Sequence, residues 1–118
     1  MVKDMAFVAY SVADVPRARA FYRDTIGLRP SAGAESDHWV EFEVGAATFG
    51  IGNGSAIGIA PGSCASAAFE VDNLDRMRSD LQARGVTVSD VNETPVCFSC
   101  FVTDPEGNRF ALHQAKPR

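Results

Sequence analysis

Positive charge, cysteine and long apolar runs are what this chain has least of, and each shortage removes a class of function. Its 11 Lys and Arg stand against 15 Asp and Glu, a net charge of −4 at pH 7. Nucleic-acid binding draws much of its affinity from neutralising phosphates, so nucleic acid is not an expected partner. The apolar runs fall far short of the about 20 residues that a spanning helix needs, so no membrane role is expected. The opening "MVKDMAFVAY" has Lys3 beside Asp4 and is followed by no apolar core or small-residue cleavage site. No signal peptide is therefore expected, and the expected location is the cytoplasm.

The cysteines are Cys64, Cys97 and Cys100. An odd, small number fits a reduced protein better than a disulfide framework. Cys97 and Cys100 have redox spacing, but they fall in a predicted strand rather than at a helix start that would lower a thiol pKa. Three positions along a strand span roughly 10 Å with side chains on opposite faces, so this pair cannot bridge.

What is present is an ordinary globular composition, 46% hydrophobic and 22% charged over 118 residues, arranged as an internal repeat. Residues 10–28, "YSVADVPRARAFYRDTIGL", align with residues 69–86, "FEVDNLDRMRSDLQARGV". Val12 meets Val71, Arg17 meets Arg76, and Gly27 meets Gly85 after a one-residue gap. Each copy reads as a strand followed by a capped helix. In the first, Asp14 is the N-cap, Pro16 sits in the first turn, and Val15, Ala18, Phe21, Tyr22 and Ile26 form the apolar stripe that Gly27 ends. In the second, Asn73 is the cap, Leu74, Met77 and Leu81 the stripe, and Gly85 the stop.

Three strand-like runs follow each helix: residues 29–34, 39–44 and 47–51 in the first half, and 87–91, 96–103 and 109–114 in the second. Val40, Phe42 and Val44 alternate with Glu41 and Glu43, the pattern of a half-buried strand. "DPEG" at residues 104–107 is a turn with Pro105 setting φ and Gly107 closing it. The glycine-rich stretch between the halves is a linker. The reading is an α+β chain of one domain: a module over about residues 5–52, a linker over 53–65, and a second module over 66–114. The two βαβββ modules are expected to form a curved, mixed, eight-stranded sheet with helices on its outer face. A chain of this length cannot cover both faces of eight strands, so the inner face is expected to hold a ligand or meet a second subunit.

"VADVPRARAFYRDTIGL", its repeat "VDNLDRMRSDLQARGV" and the closing hairpin "DPEGNRFALHQ" together resemble the vicinal oxygen chelate superfamily. That group holds glyoxalase I, extradiol dioxygenases, fosfomycin-resistance proteins and bleomycin-binding proteins. The likeness covers nearly the whole chain and is nearest in pattern to members without metal. In the metalloenzymes of that superfamily, inward-facing ligands come from the first and last strands of each module. Carried over by position, they fall here at Phe7, Phe49, Ser66 and Ala111. A divalent metal needs at least three imidazole or carboxylate ligands at about 2.0–2.2 Å, which these residues cannot supply. The resemblance therefore implies the fold without its usual metal, and no cofactor is expected. Glu41, Glu43, Glu70 and His113 are the residues left for a metal held in another way. The spacing Cys97-x2-Cys100-x12-His113 resembles half a zinc finger but lacks a fourth ligand.

Strand alternation places Phe7, Ala9 and Ser11, then Ser66, Ala68 and Glu70, on the expected ligand face. Phe49 and Ile51 join them, with Cys97, Ser99, Phe101, Thr103, Ala111 and His113 from the final hairpin. This is a mostly apolar pocket with a few polar groups, the usual make-up of a small-molecule site. Cys97 and His113 are the candidates for chemistry, as a thiol–imidazole pair, although no orienting acid or oxyanion hole is visible in the sequence. Cys97 as a space-filling hydrophobe and His113 as a strand-end cap is the simpler reading of each. Trp39 is expected either to stack on a ligand or, more commonly, to be buried at a dimer seam; His38 and Arg109 are expected to face solvent, with Arg109 near the pocket mouth. The expected function is small-molecule binding of the bleomycin-resistance type, in a homodimer, with a drug-like or metabolite ligand. The acidic balance would suit a cationic one. The alternative is a glyoxalase-like lyase, isomerase or dioxygenase using other metal ligands, or metal-free chemistry at Cys97 and His113.

Overall fold

The structure is a computed structural model that describes residues 1, 6–55, 59–63 and 67–117, with the side chain of Ala34 left aside. Two helical regions and two mixed sheets, one of four strands and one of five, make it an α+β protein. The chain divides into two compact units: Met1–Cys64 with Pro105–Asn108, and Ala65–Asp104 with Arg109–Arg118.

In the first unit, β1 (Val8–Ser11) pairs parallel with β4 (Ala47–Gly52), which runs antiparallel to β3 (Trp39–Val44). β3 in turn pairs with β2 (Arg29–Glu35), giving the order β1-β4-β3-β2. Helix α1 (Val15–Ala20) starts where Asp14 accepts a hydrogen bond from the Arg17 N–H at 3.0 Å. It continues into a wider π-type segment, Phe21–Ile26, and stops at Gly27, whose φ of 89° needs a residue without Cβ. Val15, Ala18 and Tyr22 are buried from the helical side and Val40, Phe42, Phe49 and Ile51 from the sheet. Tyr22 packs at 5.1 Å from the Phe49 ring, so aromatic contacts dominate this core.

In the second unit, β5 (Ala68–Glu70) pairs parallel with β9 (Arg109–Ala115), which forms a hairpin with β8 (Cys97–Thr103). Helix α2 (Leu74–Ala83) begins at the Asn73 cap, which accepts the Arg76 N–H at 3.1 Å, and it buries Leu74 and Leu81. Phe69, Cys100, Val102, Phe110 and Leu112 complete that core. The two copies of the repeat make matching backbone bonds: Val12 N–H to the Gly52 carbonyl and Val71 N–H to the His113 carbonyl, both at 2.9 Å.

Two details of the sheet differ from expectation. Hydrogen bonding divides the strands into two sheets rather than one of eight, and the described residues hold nine strands. The extra strand arises because the run expected over residues 87–91 breaks into β6 (Thr87–Val88) and β7 (Asn92–Glu93). At the break the Ser89 hydroxyl, not a main-chain carbonyl, accepts the Phe101 N–H at 2.8 Å. The freed Ser89 carbonyl accepts Arg78 Nε at 2.8 Å instead. The turn over residues 105–108 groups with the first unit. There Glu106 accepts the N–H groups of Ala13 at 3.0 Å and Asp14 at 3.1 Å, and buried Asn108 donates to the Ser11 carbonyl at 2.9 Å.

Candidate functional site

The first-unit sheet has one face packed under α1 and the π-type segment, and another that carries Trp39, Glu41, Gly50 and Gly52. The register fixes this division, since Trp39 opposes Gly52, Glu41 opposes Gly50, and Phe42 opposes Phe49. Phe49 and Ile51, expected on the ligand face, therefore lie on the helix-covered face and are buried in the core. The reason is pleat parity: in "ATFGIG" the two large residues share the core side and the glycines share the other.

Those glycines have a function in packing. An added Cβ would stand 2.7 Å from the Trp39 ring at Gly50 and 2.6 Å from it at Gly52, so the indole lies directly on the bare backbone. Its Nε1 donates to Glu41 at 2.8 Å, and Phe7 meets its ring edge-to-face at 5.5 Å. Around this aromatic pair is a cavity of about 390 Å³, walled by Phe7, Ala9, Tyr10, Trp39 and Ile59, with Ser11, His38 and Asn53 as its polar side chains. Ser11 is buried and ties the wall together, donating to the Ile59 carbonyl at 2.8 Å and accepting the Gly54 N–H at 3.1 Å. Phe7 and Ala9 line this cavity together with Trp39; Ile59, His38, Asn53 and Gly54 were not foreseen there.

The second unit collects the other candidates on one sheet face. Ala68 opposes Ala111, Glu70 opposes His113, and across the hairpin Ser99 opposes His113 and Phe101 opposes Ala111. Cys97 follows on that face, diagonal to His113 and opposite Ala115. Arg109 places its guanidinium 4.5 Å from the Phe101 ring centroid. Ser66 lies outside the described residues, as does Cys64. Cys97 and Cys100 are free thiols, and Cys100 is buried on the opposite, core side.

At one end of this face, Glu70 Oε1 lies 2.6 Å from His113 Nδ1 while its Oε2 accepts the Ala115 N–H at 2.8 Å. The Ala115 and His113 contacts hold the Glu70 carboxyl below its ordinary value. Glu70, with help from Cys97, raises the imidazole above its own. Thr94 Oγ1 stands 3.2 Å from Cys97 Sγ, and its hydrogen bond, followed by His113 and the charge of Lys116, lowers the thiol against the opposing effect of burial. Glu70 is thus the orienting acid that sequence reasoning missed. The repeat held a signal for it: Glu70 aligns with Ser11, the strand-end residue that anchors the first cavity. A second opening of about 500 Å³ adjoins Cys97 and His113, bordered by Pro95, Val96, Ala115, Lys116 and Pro117.

Of the four positions carried over for the family's metal, the three among the described residues bear no metal-donor side chain. Phe7 is a cavity wall, Phe49 is in the core, and Ala111 stands opposite Ala68 and Phe101. Among the described residues, no group of three or more His, Cys, Asp or Glu is placed to hold a metal ion. Glu41 is engaged by the indole, Glu43 faces Arg29 at 3.5 Å, and Glu70 is engaged by His113. Among the described residues, no helix is long and apolar enough to cross a membrane.

Two mixed sheets, each with its own helix, and apolar cavities on the uncovered faces define the class of small glyoxalase-type α+β proteins. The chain belongs to the Glyoxalase/Bleomycin resistance protein/Dioxygenase superfamily, whose pattern matches residues 5–112. Among solved structures, TnmS3, an antibiotic binding protein from Streptomyces sp. CB03234, is 25% identical with a TM-score of 0.82, covering 98% of each chain. A glyoxalase/bleomycin resistance protein from the same organism is 27% identical with a TM-score of 0.79, over 94% of this chain and 100% of its own. The fosfomycin resistance protein FosX from Mesorhizobium loti shares 17% identity and a TM-score of 0.73, over 98% of this chain and 95% of its own, a likeness of fold alone. No curated protein sequence matches the chain.

Proposed function

We propose that this protein binds a small, planar, antibiotic-like molecule in the first-unit cavity, without metal. The carrying observation is the aromatic wall of Phe7 and Trp39 on a glycine floor, where the metalloenzymes of the family would carry a ligand at the position of Phe7. The volume of about 390 Å³ falls in the range of small-molecule sites, and the lining has their composition, mainly apolar with a few placed polar groups. A stacked ring would gain apolar burial, and the Glu41 carboxylate beside the indole favours a cationic ligand. The antibiotic-binding TnmS3 supports the ligand class. Exposed Phe7, Val8, Val96 and Phe101 support self-association as a homodimer, and the free thiols of Cys97 and Cys100 suit a reducing cytoplasm.

The test is a fluorescence titration of Trp39, the only tryptophan in the chain, with bleomycin and an anthracycline, in chelator and then with Ni, Mn, Fe(II) or Zn added. Saturable quenching that persists in chelator is expected, with binding followed by calorimetry lost in Trp39→Ala. Quenching that requires metal, or stoichiometric metal uptake in calorimetry, would overturn the metal-free reading and direct lyase and dioxygenase assays at Glu41, Glu43, Glu70 and His113.

A further inference from the structure

We propose that Cys97 is a nucleophile that captures α,β-unsaturated carbonyl compounds by conjugate addition, with His113 as its proton acceptor and Glu70 as the residue that positions His113. This site lies in the second unit and does not depend on the first-unit cavity.

Three features of geometry converge on the sulfur. The Glu70 carboxylate grips His113 Nδ1 at 2.6 Å and is itself fixed by the Ala115 N–H at 2.8 Å, which leaves Nε2 for the thiol. Cys97 and His113 are diagonal neighbours on one face of the β8–β9 hairpin, at the about 7–8 Å backbone spacing from which such side chains meet. Thr94 Oγ1, 3.2 Å away, supplies a hydroxyl for the sulfur. The charged groups facing this pair are Glu70 behind His113 and Lys116 beside Cys97, Lys116 being held by Glu93 and lying 4.8 Å from the Phe98 centroid. The Thr94 hydrogen bond first, then His113 and the charge of Lys116, favour the thiolate, the reactive form, against the opposing effect of burial. Cys100 is the contrast: buried on the core side, its thiol is pushed up.

The surroundings also select the type of reaction. Acyl transfer needs N–H donors free to hold an oxyanion. The nearest main-chain donors, Cys97 and Val96 N–H, already donate to Thr94 Oγ1 at 3.1 and 3.3 Å. Conjugate addition needs no such hole and no leaving group. His113 takes the thiol proton, the sulfur lone pair forms a bond to the β-carbon, and the C=C π pair moves toward the carbonyl to give an enolate. The enolate α-carbon then takes the proton back from the imidazolium, so the product is a saturated thioether with no net change in protons or oxidation state. The Lys116 charge suits the transient enolate oxygen, and Pro95, Val96 and Pro117 give the carbon skeleton an apolar border.

The test is the rate of N-ethylmaleimide addition to the full chain across pH, followed by intact mass and peptide mapping, with glutathione as the reference thiol. One equivalent should add in a fast phase at Cys97, severalfold faster than to glutathione near pH 7, because a thiol held below its ordinary value by Thr94 and His113 is more ionised there. Cys97→Ser should lose the fast phase while keeping its circular dichroism spectrum and first-cavity ligand binding. His113→Gln and Glu70→Gln should move the midpoint of the rate–pH profile upward, the first by more, whereas loss of a merely structural contact would leave the midpoint in place. A fast phase mapping to Cys64 or Cys100, a Cys97 rate and midpoint equal to those of glutathione, or an unmoved midpoint in His113→Gln would each overturn the proposal.

Discussion

Trp39 rests on Gly50 so closely that a single methyl group at that glycine would come within 2.7 Å of the indole. The aromatic wall of the first cavity is therefore a property of two residues, one supplying the ring and the other its absence of a side chain. Gly50→Ala should push the ring away from the sheet. The expected cost is about 1–3 kcal/mol of stability in urea unfolding, the usual range for overpacking, with a red-shifted Trp39 emission. Unchanged emission together with unchanged stability would show that the ring does not lie there.

Glu106 should govern part of the acid sensitivity. Burial works against its ionised form, but the N–H groups of Ala13 and Asp14 and the Arg17 guanidinium outweigh that and lower its carboxyl below the ordinary 4.5. Because the folded value is the lower one, its contribution is complete above pH 4.5 and is lost as pH falls through the depressed value. Glu106→Gln should flatten the stability curve below that pH. Glu106→Ala should cost about 1–3 kcal/mol at neutral pH, since it leaves two main-chain donors without their acceptor.

His113 should titrate above the ordinary 6.5 in imidazole NMR spectra, chiefly because of Glu70, with Cys97 adding to the shift. The stabilisation tied to its charged form is present below 6.5 and fades as pH rises through the raised value. Both partners are partly exposed, 37% and 60%, so salt should shrink the effect. In Glu70→Gln the midpoint should return toward 6.5. If it stays where it was in the wild-type chain, the contact is absent in solution.

Ser89→Ala removes the hydroxyl that accepts the Phe101 N–H. Faster hydrogen exchange at that amide is expected, with a loss of about 1 kcal/mol, while β9 amides across the hairpin stay protected. Protection unchanged at Phe101 would mean that the main chain closes the gap and the break between β6 and β7 has another origin.

Much of this architecture could be read from the residues. Asp14 and Asn73 mark helix starts and Gly27 and Gly85 helix stops because these depend on local chemistry, and each forms where expected. The shared face of Ala68, Glu70, Ala111 and His113 followed from strand alternation alone. Phe49 was misplaced by one residue of parity, since a run of "ATFGIG" does not say which face a helix will cover; the clue was that its large residues alternate with glycines. The pairing of Glu70 with His113 was hidden for a different reason. It joins residues 43 positions apart across a parallel register, which no local pattern reports. The strand break at Ser89 was equally invisible, because it depends on which donor the hydroxyl meets.

The turn over residues 105–108 has a consequence for biosynthesis. Glu106 and Asn108 complete a unit whose other residues lie before position 65, so that unit is not contiguous in the chain. A ribosome releases the first 64 residues long before it supplies the carboxylate that caps the start of α1 or the amide that reaches Ser11. The first half must wait, unfinished, for residues 105–108 to emerge. A nonsense truncation just ahead of Pro105 would therefore damage the N-terminal half of the molecule as well as the half it shortens.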